Sequence, residues 1–431
     1  MTKLSPPHPL ETLQPQVRAR FPMIEHDALG RPRIYLNTGA GSLTVDTAAA
    51  AAGDAQGRLN PMPGVIVAGE TETAGLHLRA RELAADFLNA PSAREISFHQ
   101  SATAALFHLA FGLRNIVPSG SNLVVTDLDH MANVSPWETV FGEGRGLEVR
   151  RARVTPEGTL DRGHLLSLVD RRTALVALTS ASNGTGSLAP LKEIVTAVRD
   201  TAPACFVAVD AVHHAPHGDL DVRESGVDFL VFSGYKVFGP MMGVLWGRED
   251  RLERLRPYRV ETNKNVLPGK LEMGMLNNAA VAALEAALEY LLWLAGLAAP
   301  AGTVFSDRAA KFRSIMAAIT AYEAGITRRV LEGFRDSPLT GFRLFGIADP
   351  GRAAERVPTF AFDIGGLAAT EAKRRLWVRA GIQIADGNHY SAAVYRHLGR
   401  PEGICRASFA HYDNAATADG FLDALAGLEK D

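Results

Sequence analysis

Short apolar segments, each followed by a helical pattern, recur between residues 33 and 247. These segments are four to six residues long and occupy positions 95–98, 122–126, 174–179, 206–210, 229–233 and 243–246. Amphipathic helical patterns such as that of residues 190–200 lie between them. Apolar runs of this length are typical of strands buried on both faces of a parallel sheet. The alternation therefore predicts an α/β fold with a mostly parallel sheet between two helical layers.

The pattern changes after residue 269, where long helices alternate with isolated strands. Helical patterns cover 278–296, 306–334, 369–380 and 417–429, and strand-like segments cover 357–364 and 403–409. This order predicts a smaller α+β domain. The predicted organisation is an irregular, proline-rich N-terminal arm over residues 1–30, a large domain over 31–277, an interdomain helix over 278–302 and a small C-terminal domain over 303–431.

Composition narrows the class of protein without identifying it. The 45 basic and 47 acidic residues nearly cancel, so neither nucleic acid nor an anionic membrane is expected as a partner. The most apolar stretch, residues 279–297, is interrupted by Glu285 and Glu289 and predicts an amphipathic helix rather than a membrane span. The N-terminus lacks the apolar core of a signal peptide. We therefore expect a cytoplasmic protein.

The two cysteines predict neither a disulfide nor a metal site. Cys205 opens one predicted strand and Cys405 lies in another, and their spacing matches no zinc motif. Both are expected to be buried, inert thiols. His214 and His217 form a cluster with His213, but we interpret them as structural residues and predict no metal.

An acid and an amine follow two successive predicted strands. Asp210 ends the strand at 206–210, and Lys236 comes three residues after the strand at 229–233. Carboxyl ends of neighbouring parallel strands face one ligand crevice. An amine that can bind an aldehyde covalently and a carboxylate that can hold a pyridine nitrogen protonated are the two groups that pyridoxal phosphate requires.

The motifs around these residues resemble a known family. Asp210-x-x-His213 followed by Ser233-Gly-Tyr-Lys236-x-x-Gly-Pro is similar to class V of the fold-type I pyridoxal phosphate enzymes, in the cysteine desulfurase and selenocysteine lyase-like branch. The resemblance extends from about Tyr35 to the C-terminus. It implies the fold-type I transferase fold with a mostly parallel seven-stranded sheet, pyridoxal 5'-phosphate as cofactor, and a homodimer.

The resemblance also implies roles for individual residues. Lys236 would bind the cofactor covalently and act as acid and base, Asp210 would contact the pyridine nitrogen, and His130 would stack on the ring. The remaining cofactor-binding residues would be Ser101, Ala102, Thr103, Asn183, His213, Ser233 and Tyr235. Among them, residues 101–103 open a helix after the strand at 95–98, and small polar residues at a helix N-terminus form a ready phosphate site. Simple capping of that helix is the alternative.

Arg406 matches the arginine that binds the α-carboxylate of an amino-acid substrate. Its planar guanidinium suits two parallel hydrogen bonds to a carboxylate, although an internal salt bridge is the alternative for an arginine on an apolar strand. Asn37, His389 and Tyr390 complete the predicted substrate-binding set.

The chain departs from the desulfurase pattern in the loop that carries the persulfide-forming cysteine. Tyr390 stands at the cysteine's position, Ala385 replaces a common arginine, and Met275 replaces a hydroxyl residue that reaches the partner subunit's cofactor. Segments 60–65, 269–274 and 345–347 resemble relatives that decarboxylate an amino-acid side chain and add the resulting enamine to an aldehyde.

These departures predict a lyase that acts on a small amino acid without forming an enzyme persulfide. The reaction would be carbon–sulfur cleavage or β-decarboxylation with carbon–carbon bond formation, and an aldehyde or a sulfur acceptor would be the second partner. An epimerase or aminotransferase of class V is the alternative, and a catalytically silent pyridoxal phosphate-binding regulator is the alternative outside enzymes.

Overall fold

Two sheets of different character organise the chain. The computed structural model describes residues 8–59, 62–336 and 341–429, so residues 60 and 61 of the segment 60–65 lie outside the described residues. The strands, in chain order, are β1 (Ile34–Tyr35), β2 (Ile96–His99), β3 (Asn122–Thr126), β4 (Glu148–Ala152), β5 (Thr173–Thr179), β6 (Phe206–Asp210), β7 (Phe229–Ser233), β8 (Gly243–Gly247), β9 (Arg343–Phe345), β10 (Thr359–Asp363), β11 (Ile382–Gln383), β12 (Ala385–Gly387) and β13 (Ile404–Ser408).

The helices fill the space around these strands. In chain order they are α1 (Pro9–Thr12), α2 (Gln14–Ala19), α3 (Asp46–Arg58), α4 (Ala68–Phe87), α5 (Ala102–Leu113), α6 (Ser135–Trp137), α7 (Arg162–Ser167), α8 (Leu191–Thr201), α9 (Val222–Ser225), α10 (Glu249–Leu252), α11 (Asn278–Ala298), α12 (Arg308–Arg335), α13 (Ala369–Ala380), α14 (Ala392–His397) and α15 (Ala415–Ala426).

The larger sheet has seven strands in the order β2-β8-β7-β6-β5-β3-β4. All neighbours are parallel except β8, which runs antiparallel to both β2 and β7. Alternate residues of each strand enter different cores, because side chains of a strand point to opposite faces. Val207 and Val209 of β6 pack with α4, α8 and α11, whereas Phe206 and Ala208 pack with α5. The predicted α/β fold with a doubly covered, mostly parallel sheet is confirmed.

The smaller sheet has four antiparallel strands in the order β12-β13-β10-β9. Helix α13 packs against β12, β13 and α15, and α15 packs against α12. Phe334 of α12 and Phe421 of α15 both contact Phe362 of β10. This is the α+β arrangement that the sequence predicted after residue 303. The short strands β1 and β11 pair in parallel and tie the chain near residue 34 to this region. The exact domain boundaries stay a prediction.

The structure differs from the sequence prediction in the N-terminal region and at the edge of the larger sheet. Residues 9–19 are not irregular, since they form α1 and α2, and a proline at the first helical turn of each costs no hydrogen bond. Strand β4 was not predicted because its sequence is Glu-Val-Arg-Arg-Ala. It lies at the edge of the sheet, where charged side chains can reach water.

Helix α11 is the one described helix that is long and apolar enough to cross a membrane. It packs instead against α3, α4 and α12, and residues such as Leu284 and Leu291 are fully buried there. Glu285 on its exposed side pairs with Arg79 of α4 at 2.6 Å. These contacts are those of a core helix.

Candidate active site

A cavity of about 770 Å³ lies at the carboxyl ends of the parallel strands, between the two sheets. Its walls contain all but one of the predicted site residues: Ser101, Ala102, Thr103, His130, Asn183, Asp210, His213, Ser233, Tyr235, Lys236, His389, Tyr390 and Arg406. Asn37 is the exception. The backbone of Asn37 forms an isolated parallel β-bridge with Ser408, and its side-chain Oδ1 is buried without a partner. Gly39 and Ala40, which follow it in the sequence, line the cavity instead.

Lys236 presents its amine to this cavity. It follows β7 in a short 3-10 turn, its side chain is buried, and its Nζ donates to the carbonyl of Gly39. Burial lowers the pKa of Lys236 well below its usual value, the positive charge of Arg406 lowers it further, and Asp210 opposes both. The unprotonated amine is the form that attacks a carbonyl.

Asp210 faces the same space from the end of β6. Its Oδ1 accepts a hydrogen bond of 2.9 Å from the backbone N–H of Val212. Burial raises the pKa of Asp210 to about 6, against the lowering effects of that N–H and of Lys236. The carboxyl group is therefore mostly ionised at neutral pH and can hold a proton on a basic nitrogen.

The N-terminus of α5 forms an anion site at one end of the cavity. The Ser101 side chain caps the helix by accepting from the N–H of Ala104 at 3.1 Å. The N–H groups of the first helical turn, at Ala102 and Thr103, have no acceptor within the helix and carry the positive end of its dipole. Ser101 thus caps the helix while this end remains suited to a phosphate.

His130 covers the cavity from the segment after β3. Its Nδ1 accepts from the N–H of Ala132 at 3.0 Å, which fixes one side of the ring. Burial, with the charges of Lys236 and Arg406, lowers the pKa of His130 to about 4. The imidazole is therefore neutral at physiological pH.

A buried polar network behind His130 was missed by the sequence analysis. The carboxyl group of Asp129 accepts from Thr126 and, at 2.7 Å, from Asn133, which in turn accepts from the Trp137 indole at 3.2 Å. Burial raises the pKa of Asp129 to about 8. The sequence does contain a signal for this network, since its four polar or aromatic side chains fall within twelve residues around His130.

Asn183 and His213 connect the two sheets. Asn183 donates from Nδ2 to the carbonyl of His389 at 2.8 Å and accepts from Ser391 at 2.7 Å. His213 bonds the hydroxyl of Thr359 through Nε2 at 2.9 Å, while its buried Nδ1 has no partner. Thr359 and Ser391 were not predicted, because both lie about 150 to 210 residues away from their partners.

Arg406 is buried without a counterion. Its Nη1 donates to the carbonyl of Asn183 at 2.8 Å, and its Nε has no partner. No Asp or Glu among the described residues pairs with it, so the salt-bridge alternative is wrong for this part of the chain. Gly39 makes room for the guanidinium, since a Cβ there would lie 2.9 Å from Cζ. A buried arginine with free donors is poised for an anionic ligand.

The loop after β12 forms the outer wall, with Tyr390 at its tip. Tyr390 is 71% exposed, and His389 bonds the carbonyl of Ile404 at 3.2 Å. Gly403 allows this approach, because any Cβ there would collide with the backbone of Gly387. Asp386 and Glu402 also line the cavity here. Neither was predicted, because surface acids carry no distinctive sequence signal.

Neither cysteine reaches the cavity. Cys205 precedes β6, roughly 16 Å from Asp210 at about 3.3 Å per strand residue. Cys405 neighbours Arg406 but points to the other face of β13, where its Sγ contacts the Ala369 carbonyl at 3.5 Å. Burial raises the pKa of both thiols to about 12. Within the described ranges, no three His, Cys, Asp or Glu side chains gather as metal ligands.

Comparison with known proteins identifies the family. Residues 34–421 match the model of the aminotransferase class-V family. The chain belongs to this family. It is 30% identical to a cysteine desulfurase of Pectobacterium carotovorum, over 96% of this chain and 97% of that one. A second Pectobacterium cysteine desulfurase, from Pectobacterium atrosepticum, is equally similar over the same shares.

Solved structures agree with this assignment. A cysteine desulfurase from Escherichia coli, in an S-sulfonic acid form, superposes with a TM-score of 0.78 at 26% identity, over 96% of this chain and 97% of that one. An apo cysteine desulfurase from Thermococcus onnurineus has the same fold, with a TM-score of 0.81 at 23% identity over 96% and 98% of the two chains. The predicted family and fold are confirmed.

Pyridoxal phosphate is the cofactor of this class V enzyme, and the cavity fits it. The α5 N-terminus, Asp210 and Lys236 line the same cavity, and they would supply donors for the phosphate, a carboxylate for the pyridine nitrogen and an amine for the aldehyde. The buried, unpartnered Nδ1 of His213 and Nε of Arg406 are polar atoms that a bound ligand would satisfy.

Proposed function

We propose that this enzyme is a lyase that acts on a small amino acid by carbon–sulfur cleavage, or by β-decarboxylation with carbon–carbon bond formation, and that it forms no enzyme persulfide. The observation that carries the proposal is the outer loop, where Tyr390 occupies the tip over the cavity and both cysteines are buried elsewhere. A thiolate is the attacking species in sulfur transfer, and a phenol cannot accept sulfur in its place.

The residues of the cavity divide the chemistry among them. Bound pyridoxal phosphate supplies an electron sink for the bonds at the amino-acid Cα. Arg406 binds the α-carboxylate through its free Nε and a neighbouring Nη, which orients the Cα. Lys236, in its unprotonated form, takes the proton from Cα and can return it. Asp210, as a carboxylate, holds the proton of the pyridine nitrogen.

One experiment distinguishes between these reactions. Cysteine, cysteine sulfinate and aspartate are each incubated with the holoenzyme, with and without an aldehyde, and products are identified by mass spectrometry. We expect release of a sulfur or carbon dioxide fragment from one substrate. A racemised amino acid or an oxo acid with retained side chain would replace the lyase with an epimerase or aminotransferase.

A homodimer is part of the proposal. Met241, Met273 and Met275 are 78%, 71% and 54% exposed and line a groove of about 360 Å³ beside α5 and the start of α11. Clustered exposed methionines are typical of an interface with another protein. Light scattering after gel filtration should give twice the chain mass, and Met241→Lys with Met273→Lys should weaken the dimer. A wild-type monomer at micromolar concentration would contradict it.

A further inference from the structure

The tip of the outer loop has an unusual backbone. His389 and Tyr390 are consecutive non-glycine residues with φ of 50° and 58°, between β12 and α14. A side chain in this left-handed region costs free energy, so surrounding contacts must hold it. Histidine tolerates this region better than most residues, but a bulky tyrosine rarely adopts it, so Tyr390 indicates a loop whose conformation is imposed by contacts with other segments.

Contacts across the cavity impose it. The carbonyl of His389 accepts from Asn183 at 2.8 Å, and the carbonyl of Tyr390 accepts from the N–H of Met131 at 2.9 Å. Ser391 donates to Asn183 at 2.7 Å. Each residue of the strained pair is therefore bonded to a segment that follows a strand of the larger sheet. The loop is a fixed wall in this arrangement.

Fixing the loop places the Tyr390 ring on His130. The two rings stack with centroids 5.3 Å apart and planes inclined by 27°. The backbone bond to Met131 anchors Tyr390 beside His130 itself. Since Ala132 already holds Nδ1 of His130, the stacked phenol adds a second restraint, on the face of the imidazole.

We propose that Tyr390 is a positioning residue whose aromatic ring holds the His130 imidazole in place and shields it from water, with no role for the phenol hydroxyl in the reaction. The proposal rests on the function proposed above in one respect, which is that His130 stacks on the bound cofactor. It replaces the substrate-binding role that the family resemblance implied for Tyr390.

The physical consequence concerns protonation. Burial is the main cause of the low pKa of His130. Without the Tyr390 ring, water reaches the imidazole, and its pKa should rise from about 4 toward the ordinary 6.5. A protonated ring beside the protonated pyridine nitrogen would be repelled.

The test compares Tyr390→Ala with Tyr390→Phe, and uses Leu29→Ala, at a 78% exposed position in the N-terminal region, as the control for handling and fold. Histidine labelled at Cε1 is followed by NMR in the apo-protein, and the His130 signal among the 13 histidines is assigned with His130→Gln. We expect Tyr390→Ala to shift the His130 signal and raise its titration midpoint, and Tyr390→Phe to keep both as in the wild type. An unmoved His130 signal in Tyr390→Ala overturns the proposal.

The second measurement is the pH dependence of kcat and KM of the holoenzyme. In Tyr390→Ala, kcat should fall as pH decreases from 6.5 toward 4, because the charges of Lys236 and Arg406 still lower the pKa of His130 in the variant. KM should change little, and Tyr390→Phe should lack this acidic limb. Equal loss of kcat in both variants at every pH would place the hydroxyl on the reacting atoms and overturn the proposal. If the wild type turns over no amino acid, the proposed function fails, while the apo-protein titration still decides the role of Tyr390.

Discussion

Replacing Arg406 by lysine tests whether this buried guanidinium recognises the substrate. Lysine keeps the charge but offers a single ammonium in place of the planar fork. The structure shows one protein bond to Arg406, from Nη1 to Asn183, and an unpartnered Nε. A carboxylate bound through two parallel hydrogen bonds would lose about one of them in the variant, at a cost of about 2–3 kcal/mol. We expect KM to rise roughly 30- to 150-fold.

Arg356→Lys is a matched control, because Arg356 is also a buried arginine. The two side chains are 4% and 2% exposed, for Arg356 and Arg406 respectively. Arg356 donates through Nη1 and Nη2 to the backbone carbonyls of Ile347, Thr185 and Thr359, so both of its terminal nitrogens are used, whereas its Nε is buried without a partner like that of Arg406. Lysine there should lower the free energy of unfolding by roughly 3 kcal/mol or more and change KM little. Arg406→Lys should change the free energy of unfolding by no more than about 1 kcal/mol.

Two measurements separate these effects. Steady-state kinetics with the substrate identified by product analysis gives KM and kcat, and urea unfolding gives the free energy of unfolding for each variant. Unchanged KM and kcat in Arg406→Lys, with a large loss of stability, would refute the reasoning and make Arg406 a structural residue. The same variant with raised KM and intact stability would support the carboxylate role.

Three further predictions concern the other groups of the cavity. Borohydride reduction and peptide mapping should place the cofactor label on Lys236, and Lys236→Ala should lose at least about 10³-fold in turnover; a label on another lysine would refute the assignment. Because the Asp210 carboxyl has a pKa of about 6 and must be ionised in the complex, cofactor affinity of the apo-protein should fall about tenfold per pH unit below 6. Fluorescence titration should show this fall, and Asp210→Asn should remove it. The double variant Cys205→Ser, Cys405→Ser should keep the native reaction with a modest loss of stability. If the folded double variant is inactive and the wild type forms a persulfide adduct, the enzyme uses a desulfurase mechanism.

The sequence by itself determined that the larger sheet is mostly parallel and covered by helices on both faces, and it identified two groups at its centre. Segments 206–209 and 229–232 are uninterrupted apolar runs because buried parallel strands contact helices on both faces, and that environment is visible in local composition. Asp210 and Lys236 follow these strands directly, so their meeting in one crevice is a consequence of strand direction. Helices α1 and α2, where an irregular arm was predicted, and the missed strand β4 show the limit of apolar runs as a signal. Helices that begin at a proline and charged strands at a sheet edge contain no such runs.

Only the tertiary structure decided how the outer loop closes the site. Asn183 and Ser391 are 208 residues apart, and their bond exists because the two sheets pack across the cavity. The stacking of Tyr390 on His130 depends on a backbone conformation that tyrosine does not favour by itself. Local sequence reports periodicity and burial, whereas these contacts arise from the packing of distant segments, which fixes side chains against the local preference of the backbone.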